Sequence, residues 1–182
     1  MKPVFEKIIV DAQQSWRFHH YCWPRIDLNW HSHPEYELVL TCGSQGLRYI
    51  GTSIESYHDD DLVLVGPDLA HGWQSTQHTH ITDAAHHALV LQFPAEWIEG
   101  WLFSNKALQS LQPLLHGAQF GLKFSNDTAK RVRPLIWQMS DASALEKQAL
   151  LLQVFNLLSQ DTHTRKLCQI EASVTAPATN SR

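Results

Sequence analysis

The chain has 182 residues, with 14 Lys and Arg against 18 Asp and Glu and a formal net charge of -4, a balance that argues against wrapping a nucleic-acid backbone. At 43% hydrophobic residues it holds too much apolar side chain for a disordered protein. No apolar run approaches the roughly 18 residues of a membrane helix, and MKPVFEKIIVDAQQ lacks a signal core and cleavage site, so a cytoplasmic protein without a membrane partner is expected.

Before Pro94, short β-rich runs alternate with turn signals. They predict strands at 5–10, 15–23, 35–41, 47–51, 54–58, 62–65, 71–75 and 87–93. CGSQG closes a hairpin, and Asp59-Asp60-Asp61 and Gly66-Pro67 bracket a short apolar strand. With no crossover helix between them, these strands point to a sandwich or barrel.

After Pro94 the pattern becomes helical. Residues 95–103 and 105–116 read as one or two helices, and Asn126 caps a helix towards Met139 with a kink at Pro134. Ser143 and Glu146 form a capping box for a helix to about Ser159. That last helix is apolar on more than one face, which suits core packing and a dimer interface equally, with Leu145, Leu152 and Phe155 as interface candidates. Ile170 to Arg182 is rich in Ala, Thr and Ser and reads as a linker.

The three cysteines, Cys22, Cys42 and Cys168, are odd in number and lack a CxxC spacing, which speaks against a disulfide framework or a Cys-based zinc site. The 12 histidines nearly equal Lys and Arg together. Two of them fall in WHSHPEYELVL, where residues 31, 33, 35 and 37 share one face of an extended strand. His31, His33 and Glu37 there offer three ligands to a divalent metal, and His71, after the Gly66-Pro67 turn, a fourth. His78, His80, His86 and His87 lie in a polar stretch that reads as a solvated connection.

HSHPEYEL followed by DDDLVLVGPDLAHGW resembles the two cupin signatures, with His31, His33, Glu37 and His71 on the four ligand positions. The wider wording, HPEYEL, RYIG, DLVLVGP, HGWQS and ALVLQF with helices after it, resembles the N-terminal sensor domain of AraC/XylS-type transcriptional regulators. The sequence departs from the cupin pattern at Arg25, Asp60, Asp68 and Ser75.

The resemblance implies an all-β cupin, a double-stranded β-helix or jelly-roll barrel over 1–94. A helical packing and dimerisation segment over 95–162 and a tail over 163–182 would follow. It implies a homodimer that senses a small-molecule effector, a sugar or an organic acid, and that reaches DNA only through a helix-turn-helix domain absent from this chain. Trp30, Glu35, Arg48, Trp73 and Gln92 are the expected ligand contacts, on or beside strands of a largely apolar cavity. No catalytic residue is expected. The rival reading is a metal-dependent isomerase or dioxygenase using Zn, Ni, Mn or Fe at the same four residues. A stand-alone carbohydrate-binding module is a third.

Overall fold

A computed structural model describes residues 2–10, 14–76 and 86–168. The strands are β1 (Val4–Phe5), β2 (Arg17–Trp23), β3 (His31–Ser32), β4 (Glu35–Cys42), β5 (Gly46–Ile50), β6 (Ser53–Tyr57), β7 (Asp61–Val65), β8 (His71–Ser75), β9 (His86–Pro94), β10 (Leu122–Lys123) and β11 (Arg165–Lys166). The α-helices are α1 (Ala95–Ser104), α2 (Gln112–Ala118), α3 (Asn126–Gln138) and α4 (Ala144–Ser159), and a 3-10 turn, Lys106–Leu111, leads into α2.

The strands form two sheets. One runs β1-β3-β8-β5-β6 and the other β11-β10-β7-β4-β9-β2. A closed barrel was expected, but among the described residues no strand pairs across the two sheets. The chain passes between them through turns such as His33-Pro34 and Gly66-Pro67, and a proline has no N–H with which to extend a ladder.

The central strands of the six-stranded sheet are buried on both faces, which is why every residue of β7 and all but the first of β4 are buried. Leu38, Leu40, Leu62, Leu64, Leu89, Leu91 and Phe93 turn outwards into one core with α1, α3 and α4. The alternate residues Val39, Val63, Val65 and Val90 turn inwards against Ile50, Tyr57 and Trp73 of the other sheet. The two cores are the two faces of one sheet.

The helical half is therefore a layer laid on that sheet. Leu150, Leu151, Val154, Phe155 and Leu158 of α4 are buried in it, and Phe155 sits 5.4 Å from the Phe93 ring. Phe155, an expected interface residue, is committed to the chain's own core, whereas Leu145 is 81% exposed and Leu152 39%.

The Ser143–Glu146 capping box forms as expected. Helix α3 is capped by Ser125 and not Asn126, because Ser125 is extended and its Oγ accepts from the Thr128 N–H. The helix continues through Pro134. Strand 5–10 shrinks to β1, with Val4, Phe5 and Ile9 exposed. Residues 165–168 fall in the expected tail, yet Arg165 and Lys166 pair with β10, and Leu167 and Cys168 are buried. Residues 169–182 of that tail lie outside the described residues.

Arg48 and Asp61 tie the sheets together at one end. Arg48 of β5 donates to Asp61 of β7 and to Glu55 at 3.0 Å, and Lys123 lies 3.2 Å from the same Asp61. Gly46 is required where β5 meets β8, since a Cβ there would stand 2.0 Å from the Gln74 carbonyl oxygen.

Leu91→Ala should cost about 3 kcal/mol in urea unfolding, as transfer and cavity terms add for a fully buried leucine. Ile54→Ala, on an exposed face, should change stability by less than about 0.5 kcal/mol.

Candidate functional site

His31, His33, Glu37 and His71 come together, with one ligand atom from each lying within 4.8 Å of the others. The route differs from the expected single strand face. His31 is on β3 of the five-stranded sheet and Glu37 on β4 of the six-stranded sheet, and the chain crosses between them at His33-Pro34. His71 arrives by register, since it lies directly opposite His31 on β8. The turn that delivers it is held by the Asp68 N–H donating to the His33 carbonyl at 2.8 Å. Asp68 itself adopts φ +60°, the left-handed conformation that glycine reaches most easily.

Two imidazoles are oriented by the backbone. His31 Nδ1 lies 2.9 Å from the Asn29 carbonyl and His71 Nδ1 2.7 Å from the Leu69 carbonyl. A carbonyl only accepts, so each Nδ1 carries the proton and each Nε2 faces the cluster. His71 Nε2 is buried with no hydrogen-bond partner, 3.3 Å from Glu37 Oε1, and His31 Nε2 is 3.1 Å from Glu6 Oε2. This donor set fits a divalent cation: imidazoles whose second N–H is anchored on a carbonyl, and one carboxylate.

Burial alone would raise the Glu37 carboxyl, but the nearby His71 and the hydrogen-bonded His33 hold it well below its ordinary value. Burial alone would lower His33, but Glu37, then Glu35 and Glu6, hold it above its ordinary value. His31 is pushed down by burial and then by the nearby His71. His33 Nε2 bonds Glu37 Oε2 at 2.9 Å, and Gln92 Nε2 donates to that oxygen at 2.7 Å.

Glu37 and His31 open onto a cavity of about 420 Å3 between the sheets. Of the expected ligand contacts, Trp73 and Gln92 line it. Arg48 faces inwards but is consumed by Asp61 and Glu55, Glu35 lies behind His33 at 3.3 Å, and half-buried Trp30 is outside the lining. Tyr21, Trp23 and Thr41 line the cavity and were missed. The alternation of β2 and β4 was the available signal, since Tyr21 and Trp23 share one parity, and Thr41 the parity of Glu37.

His78 and His80 lie outside the described residues. His86 and His87 sit on β9, not in a connection. His86 Nδ1 is 2.8 Å from Ser44 Oγ, and His87 Nδ1 is 3.0 Å from His20 Nε2 on β2. A second cluster, Cys42, Asp59 and Asp60, already faces the Arg133 guanidinium, 2.8 Å from Asp60.

No family model matches the chain, and no curated protein does. Solved structures similar to it include a cupin 2 conserved barrel domain protein from Rhodopseudomonas palustris, at 15% identity and TM-score 0.38 over 48% of this chain and 58% of that one. Apo ToxT from Vibrio cholerae is similar at 10% identity and TM-score 0.49, over 79% of this chain and 54% of that one. Streptomyces albus HEPD, with 2-hydroxyethylphosphonate and Fe(II) bound, is similar at 16% identity and TM-score 0.38, over 90% and 37%. The chain thus spans less than two thirds of each. No helix among the described residues is long and apolar enough to cross a membrane.

The Glu37–His33 pair sets a pH window. A lowered carboxylate contributes stability above its unfolded value near 4.5, lost as pH falls. A raised imidazole contributes below its unfolded value near 6.5, lost as pH rises through its folded value. Thermal melts should therefore separate wild type from Glu37→Gln most between about pH 4.5 and 6.5, with a stability gap of about 3 kcal/mol that narrows on both sides.

Proposed function

We propose that this chain is the effector-sensing and dimerising domain of a cupin-type regulator of the AraC/XylS kind, with a small molecule held in the cavity between the sheets. One observation carries the reading. The cavity lies on one face of the six-stranded sheet and α1, α3 and α4 on the other, so an occupant and the helices press on the same strands. A ligand with different affinity for two arrangements of sheet and helices would shift their population.

The exposed Leu145 and Leu152 of α4 are the remaining interface candidates for a homodimer in the cytoplasm. DNA would be contacted by a helix-turn-helix domain that residues 1–182 do not include.

A thermal-shift screen of sugars, organic acids and ring compounds tests this. A true effector at about 100 times its Kd should add about 2.7 kcal/mol of stability. In gel shifts the 182-residue chain should show no sequence-specific binding, and a specific complex would overturn the assignment.

The tautomers fixed at His31 and His71 favour a second reading, a metal-dependent cupin enzyme. His31, His33, Glu37 and His71 would hold Zn, Ni, Mn or Fe, which supplies Lewis acidity or, for Fe and Mn, redox chemistry beside the cavity. In equilibrium dialysis against micromolar metal, one ion per chain that is lost in His33→Ala is the expected result. An empty wild type defeats the reading.

A further inference from the structure

Thr41 stands on the inner face of β4, on the same parity as Glu37 and Val39, and its side chain lines the cavity. It is 1% exposed, and its Oγ1 has no hydrogen-bond partner among the described residues. Its cross-strand neighbours leave it none. Ala88 has nothing to offer, and the Asp61 carboxylate is engaged by Arg48, Lys123 and the Trp73 indole N–H. A buried hydroxyl without a partner has given up its water and gained nothing for it. Valine would fill the same space in a strand at no such cost, so the hydroxyl points to a group that enters the cavity.

The walls indicate what enters. Trp73 comes from the five-stranded sheet, and Tyr21 and Trp23 come from β2 of the other, stacked with ring centroids 4.5 Å apart and planes 18° apart. Aromatic side chains on the walls of both sheets favour a flat ring.

The charges narrow the class further. Glu6, Glu37 and Asp27 line the cavity against one guanidinium, Arg25, which already closes on Asp27. Arg17, just behind, directs its Nη atoms to Gln92 and Tyr21. An anion entering would face these carboxylates and lose its water with no free guanidinium to meet it.

We propose that the cavity binds an uncharged aromatic ring compound carrying a hydroxyl group, and that Thr41 Oγ1 is the hydrogen-bond partner of that group. This rests on the cavity being the effector site and excludes the organic-acid half of the expected effector class.

The test is calorimetry on the 182-residue chain with 4-methylphenol, benzoate and glucose, on wild type and Thr41→Val, with the melting temperature of each unliganded protein. The expected result is binding of 4-methylphenol in preference to the other two, about tenfold weaker in Thr41→Val, with the unliganded variant melting at or above wild type. A purely structural threonine would lower the melting temperature and leave affinity alone, which overturns the assignment. So does an unchanged 4-methylphenol affinity, which would leave Oγ1 to a bound water. Tighter binding of benzoate or glucose overturns the ligand class while the cavity stands as an effector site. Silence from all three overturns the ring ligand. The cavity reading itself then fails only if the wider thermal-shift screen is silent too.

Discussion

The central strands of one sheet are covered on both faces, and the rest of the architecture follows from that constraint. ELVLTC, DLVLV and ALVLQF carry apolar residues at successive positions, so a single covered face leaves half of them in water. Helices α1, α3 and α4 cover one set and the five-stranded sheet covers the other. The helices are thus structurally inseparable from the strands, and the chain returns from them to add β10 and β11 to the sheet edge.

Inside the sandwich, the buried ionisable side chains gather in two groups. Arg48, Asp61, Lys123 and Glu55 pair with one another near one end of β4, while His33 and Gln92 bond Glu37 near the other, with His71 3.3 Å from it. A buried ion without its partner is far costlier than a buried pair. The space between them is walled by Val39, Val90, Thr41 and the aromatic residues, and it remains open.

Most of this was legible in the residues. The strands from β4 to β9 fall within about two residues of their predicted ends, since turn residues and alternation both mark them. The four His and Glu positions converge as their motif implies. They do so by a route that the spacing along one strand does not contain. Alternation along one strand cannot reveal that Pro34 moves the chain from sheet to sheet, nor that His71 is set by pairing with His31. Arg48 was legible as inward-facing, but its partner Asp61 lies on a strand that local sequence does not connect to it. Phe155 shows the same limit, because a wide apolar stripe does not say whether its cover comes from within the chain. β10 and β11 are too short to carry a periodic signal.

The crossing at Pro34 divides the His–Glu group between two layers. His31 and His71 ride the five-stranded sheet, Glu37 rides the six-stranded one, and His33 sits on the bridge between them. Whatever these four side chains grip is therefore held as by the jaws of a caliper. An occupant bound by all four would bridge the two layers, so its grip would bear on how one sheet packs against the other.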